Sequence, residues 1–189
     1  YVEFTELNGQ GTILLPYATS VVQHAGEQDG KPVTAPILLL GGPPNPERFP
    51  AESVVAGKLL VWVVPWSEVP KFANAIVLKA MAAGAAGVIA VSDRDTTVIA
   101  AVAGQAGRVQ VSRDDAAARK GGIPLVVEVP QAAIVARFPQ AQGVFDQLNA
   151  AGEMTVLPMP AWEATVMAAD TVLGTASAPN VVGILEGTD

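Results

Sequence analysis

The residues able to do chemistry are few. The chain has one histidine, His24, and no cysteine. A thiolate nucleophile, a disulfide and Cys-ligated zinc are therefore excluded. A triad or a catalytic zinc site would have a single imidazole to draw on. His24 lies beside the polar run 25–32 and reads as a solvated loop histidine. Carboxylates pair at Asp93/Asp95 and Asp114/Asp115. Oxygen ligands suit calcium, but neither pair has the D-x-[DN]-x-[DN]-G spacing, so solvated loop charge is the reading. No catalytic, cofactor-binding or metal-binding residue is assigned.

Glycines could cradle a phosphate. A dinucleotide fingerprint places G-x-G-x-x-G after a strand and at the start of a helix. Gly84 and Gly87 instead follow a helix and precede a strand, so they read as C-cap and turn glycines. Gly41-Gly42 does follow a strand, but Pro43, Pro44 and Pro46 come next and no Walker lysine is present. Of the tryptophans, Trp62 falls within an apolar strand and reads as core. Trp66 falls at a strand-to-helix turn, where it could touch a ligand or partner or could simply be buried.

The elements that must position these residues centre on 57–93. Residues 59–64 are all aliphatic, β-branched or aromatic, so the strand is covered on both faces. Ser67 is placed to cap the following helix, with Glu68 and Pro70 in its first turn. Phe72, Ile76, Ala80 and Ala83 recur at helical spacing, Gly84 ends the helix, and 88–91 is the return strand. Such a strand–helix–strand run wants parallel strands.

Further strands are predicted at 1–7, 12–17, 33–40, 123–129, 154–157, 164–168 and 180–185, with Pro16 limiting the second to its end or a sheet edge. Asp29-Gly30 predicts a hairpin between 20–22 and 33 onward. A short helix over 96–103, interrupted by Gly104, a short strand at 109–111 and helices over 131–137 and 139–151 complete the pattern.

Composition bounds the class. The 189 residues suit one domain with a real core. Half are apolar and 15% charged, which excludes a disordered chain. The net charge of −7 argues against binding nucleic acid through phosphates. No apolar run approaches the ~20 residues of a membrane span. The chain starts at Tyr1 rather than Met and stops at Asp189 on a strand-like run, which suggests a piece of something longer.

Several segments together resemble the protease-associated (PA) domain. Gly30-Lys31-Pro32-Val33-Thr34-Ala35-Pro36 resembles its G-x-V-x-A-P start. Gly57-Lys58-Leu59-Leu60-Val61 is similar to its G-K-I-V-L strand. Phe72 leads a helix into Ala83-Gly84-Ala85-Ala86-Gly87-Val88-Ile89, similar to its A-G-A-x-G-V-I turn. Ile123-Pro124-Leu125-Val126 resembles its I-P-x-V segment. The likeness covers roughly residues 30–138. A Cys often found near Trp66-Ser67 is absent, and Ile76 stands where the family often has Lys.

A second resemblance concerns a parent protein. Residues 178–189, Ala178-Pro179-Asn180-Val181-Val182-Gly183-Ile184-Leu185-Glu186-Gly187-Thr188-Asp189, are similar to the T-x-N-V-x-x-x-L-x-G-S-D segment of co-catalytic di-zinc aminopeptidases of the aminopeptidase Y and glutamate carboxypeptidase II type. There it is the first strand of the catalytic domain, ahead of a metal-binding His-x-Asp.

The resemblances imply a β-rich α/β fold, the swivelling β/β/α PA arrangement: a sandwich or open barrel with flanking helices. They imply a PA domain over 1–178 and, at 179–189, the start of a peptidase catalytic domain. The implied role is non-catalytic: a lid or docking module for a neighbouring zinc exopeptidase site. Its partners would be its own catalytic domain and a peptide or protein substrate, and zinc would sit in that other domain rather than in this chain. A secreted or cell-envelope location is implied by the family. The expected contacting edge comprises Trp66 and the loop Gly41, Gly42, Pro43 and Pro44, because Pro-rich loops are pre-ordered. The competing reading is a small stand-alone α/β hydrolase or ligand-binding domain, against which the missing G-x-S-x-G and G-x-G-x-x-G stand.

Overall fold

A computed structural model describes residues 1–7, 11–16, 22–25, 31–106 and 125–167. Its centre is four parallel strands, β4 (Val33–Gly41), β5 (Leu59–Val64), β6 (Gly87–Ser92) and β7 (Leu125–Pro130). Every residue of β5, β6 and β7 is buried, so these strands can exist only with cover on both faces. Alternation divides them. Leu59, Val61 and Val63 join a core with Phe145 and Leu148, whereas Leu60, Trp62 and Val64 join one with Ile76 and Ala80.

Helices supply the cover. On one face lie α1 (Glu52–Val55) and α2 (Val69–Ala82). On the other lie α4 (Gln131–Val135) and α5 (Ala141–Asn149). Helix α3 (Thr96–Ala106) packs on β7 and on β3 (Val22–Ala25). Antiparallel strands β1 (Val2–Glu6), β2 (Thr12–Leu15) and β8 (Thr155–Val166) complete one eight-stranded sheet, ordered β2-β1-β8-β4-β5-β6-β7-β3. The fold is thus mixed α/β and β-rich, one sheet curled as an open half-barrel with flanking helices. Of the two expected forms it takes the open barrel rather than the sandwich. Tyr1 and Met167 exchange two backbone hydrogen bonds, 2.9 and 3.0 Å, where β1 and β8 meet.

Four expectations are corrected. The Asp29-Gly30 hairpin does not form, because β3 pairs antiparallel with β7 at the far end of the sheet. Both edges of β4 are already taken, by β5 and β8. The two strands predicted at 154–157 and 164–168 are one, β8, with a register shift opposite Pro36/Ile37. Pro158 is tolerated because β1 pairs only with residues 162–166, so at Pro158 just one side of β8 carries a ladder. Helix α3 runs through Gly104 to Ala106. A mid-helix glycine costs about 1 kcal/mol, less than the burial of Ile99 and Ala103 returns.

The fourth concerns Ser67, which does not cap α2. The helix begins at Val69, Glu68 occupies the N-cap without a side-chain hydrogen bond, and the Ser67 hydroxyl lies 3.5 Å from the Glu68 carboxylate. The turn itself satisfies the first donors: Glu68 N–H bonds Pro65 O and Val69 N–H bonds Trp66 O. Pro70 does occupy the first turn. The other end is as expected. Gly84 has φ +69°, and Gly84 and Ala85 donate back to Met81 O and Ala80 O in a Schellman turn.

Glycine is required most stringently at Gly42. Its φ is +77°, and a Cβ there would lie 2.1 Å from the Glu153 carbonyl oxygen. Gly143, in α5, has open space around it. Gly42→Ala is expected to destabilise the fold by about 2 kcal/mol or more. Gly143→Ala should stabilise it by about 0.5–1 kcal/mol. Urea denaturation of the two variants measures both; equal effects would contradict the assigned geometry.

Candidate functional site

The carboxyl ends of β4 to β7 all point to one edge of the sheet. Four connections leave that edge: Gly42–Asn45 after β4, Pro65–Glu68 after β5, Asp93–Asp95 after β6, and Gln131 after β7. Because Leu40 pairs with Trp62 and Val64 with Ser92, the register brings these connections to a common level. The predicted contact residues Trp66, Gly41, Gly42, Pro43 and Pro44 therefore issue from neighbouring strands.

They play different parts. Gly41 and Gly42 are buried; a Cβ on Gly41 would lie 2.5 Å from Leu148 Cβ, so this glycine lets α5 lie against the strand end. Pro43 is exposed and Pro44 half-buried. Both line a shallow groove that also holds Met154 and the exposed Arg48–Glu153 ion pair. Trp66 is half-buried, and its backbone N–H donates to Asp93 Oδ1 at 2.7 Å.

Three residues that belong to no sequence motif organise this edge. Glu128, on β7, is fully buried. It accepts a hydrogen bond from the Ser92 hydroxyl, also fully buried, at 2.7 Å and one from Arg94 Nη1 at 3.3 Å. Arg94 keeps 16% of its side chain exposed and lays its guanidinium 3.9 Å from the centre of the Trp66 ring. Such a stack contributes about 0.5–2 kcal/mol. The Arg94 backbone N–H also donates to Ser92 Oγ, at 3.4 Å. A chain of contacts thus runs from the sheet interior to the surface: Glu128, Arg94, Trp66, Asp93. The sequence did hold a signal for it. Glu128 is the single charge in the apolar run 123–129, and a buried carboxylate requires a partner.

The carboxylates weighed as cation ligands have local duties. Asp93 holds the Trp66 turn. Asp95 caps α3, accepting the Thr97 N–H at 2.7 Å and the Thr97 hydroxyl. These Thr97 hydrogen bonds, the hydroxyl first, hold the Asp95 carboxyl below its ordinary value of 3.8. Asp114 and Asp115 lie outside the described residues, as do the segments predicted at 109–111 and 179–189. His24 falls within β3 rather than in a loop. Among the described residues no three His, Asp or Glu side chains are grouped to hold a metal ion. Ser92 and Glu128 form a hydroxyl–carboxylate pair, but both are sealed from solvent, so no substrate reaches it.

No known protein-family model matches this chain, and no curated protein matches it either.

Two outcomes check the site's energetics. Arg94→Met removes the Arg94 guanidinium from the buried Glu128 carboxylate and is expected to destabilise the fold by up to about 3–5 kcal/mol in chemical denaturation. Adding Glu128→Gln removes the buried charge that Arg94 answered, so the double variant should be more stable than Arg94→Met alone. Asp95 has a lowered folded-state pKa. Its contribution is therefore present above 3.8 and lost as pH falls through the folded value. Asp95→Ala should lower the melting temperature at neutral pH and leave it unchanged in strong acid. Asp95→Asn, which can still cap, should flatten that pH dependence.

Proposed function

We propose that this chain is a non-catalytic docking domain of protease-associated type, acting as a lid or substrate- and partner-binding module beside a zinc-dependent exopeptidase site. The observation that carries the reading is the shared edge of β4 to β7. It presents a proline loop and a half-buried tryptophan fixed by a buried ion pair, which is a pre-ordered contact surface. Its hydroxyl–carboxylate pair is closed to substrate. Zinc and the catalytic groups belong, in this reading, to the neighbouring domain, and the setting is secreted or cell-envelope.

The test is made in the peptidase-linked protein. Replacing Trp66 by Ala and Pro43-Pro44 by Gly-Gly is expected to raise KM several-fold or change substrate preference, with kcat little altered. Unchanged KM and preference would overturn the docking role. Aminopeptidase activity of the 189-residue chain supplied with zinc alone would overturn the non-catalytic assignment.

A further inference from the structure

We propose that Arg94 is a peptide-binding residue: together with Trp66 it receives the main-chain carbonyls of an extended peptide and prefers neutral or basic segments to acidic ones. This rests on the docking reading and names the chemistry that the docking edge accepts.

Three observations lead to it. First, Arg94 is only partly used. Its Nη1 donates to Glu128 at 3.3 Å, while the remaining guanidinium N–H groups make no hydrogen bond to described residues. No Arg94 nitrogen is both buried and unpartnered, so those donors reach solvent. Second, they are fixed in place. The guanidinium is stacked on Trp66 at 3.9 Å and tied to a carboxylate that is itself fully buried. A planar group held on two sides loses little freedom on binding, and its donors keep a fixed direction. Third, its charge is already answered. Glu128 neutralises Arg94, and the neighbouring Asp93 and Asp95 are exposed carboxylates. Among the described residues the local balance is negative.

A carboxylate or phosphate ligand would meet an arginine already paired with Glu128 and be repelled by the exposed Asp93 and Asp95. A neutral acceptor meets no such penalty. The peptide carbonyl is the acceptor that comes in a regular row, and an apolar side chain beside it can rest on the half-buried Trp66 indole. Basic side chains flanking that segment would face Asp93 and Asp95. Charge complementarity therefore selects a neutral or basic peptide.

The test uses the full 189-residue chain and two fluorescein-labelled peptides with blocked ends, Lys-Leu-Ala-Leu-Lys and Glu-Leu-Ala-Leu-Glu. Fluorescence polarisation at low ionic strength should show saturable binding of the basic peptide and at least tenfold weaker binding of the acidic one. Added salt should narrow the gap. Arg94→Lys keeps a cation for Glu128 but loses the plane and the fork of donors. It should weaken the basic peptide roughly tenfold, and Trp66→Ala should weaken it comparably. Leu14→Ser, an exposed position on β2, should change nothing. Thermal melts establish that the variants remain folded. Equal binding of both peptides, binding of neither, or unchanged affinity in folded Arg94→Lys and Trp66→Ala would each overturn the proposal. The docking role keeps its own readout, KM in the peptidase-linked protein, so the two can fail separately.

Discussion

Burial of β5, β6 and β7 on both faces is the constraint from which the architecture follows. Three adjacent strands without an exposed residue cannot form the surface of anything. Their odd and even side chains need separate covers, and the chain supplies them from different places. Helix α2 arises between β5 and β6, and the α4–α5 pair only after β7. Parallel pairing requires such crossovers, and the crossovers in turn supply the cover. The antiparallel strands then extend the sheet to both sides, β8, β1 and β2 beyond β4 and β3 beyond β7.

The same constraint explains why polar chemistry gathers at one edge. Within the strands a polar side chain has to be paired; at their carboxyl ends the backbone turns outward and side chains reach solvent. Ser92 closes β6 and Glu128 sits two residues before the end of β7, on the same face. Arg94, just past β6, answers Glu128 while keeping part of itself in water. Its outward side lies against Trp66, which follows β5. Three successive strand ends are joined by one arginine.

Much of this was legible in residues. The continuous apolar runs at 59–64 and 88–91, the helix between them and its Gly84 terminus needed only local rules, and they appear as expected. What failed was non-local. Asp29-Gly30 is a sound turn signal, yet which strand β3 joins depends on which sheet edges remain open, and β4 has none. The strands at 154–157 and 164–168 read as separate because sequence does not show that β1 leaves the part of β8 around Pro158 unpaired. Ser67 fits a cap by type, but the turn carbonyls of Pro65 and Trp66 take the donors instead. The edge was half legible. Trp66 and the Gly41–Pro44 loop stand out by residue type, whereas the contact of Arg94 with Glu128 joins positions 34 residues apart, and Arg94 sits in an unremarkable charged turn.

Stability alone does not account for Glu128. An apolar side chain would fill the same place in a strand of aliphatic residues, and replacing a buried ion pair by well-packed hydrophobic groups is commonly neutral or stabilising by about 1–4 kcal/mol. What the apolar alternative would lose is direction. Without Glu128 no other buried group among the described residues fixes the Arg94 guanidinium, and without Arg94 the Trp66 ring loses the stacked cation on its face. The Trp66 backbone would still be held by Asp93, but its indole would be free to turn. The buried carboxylate therefore contributes orientation at the surface, where a contact site needs it, through an interaction placed in the interior, where solvent screening is least.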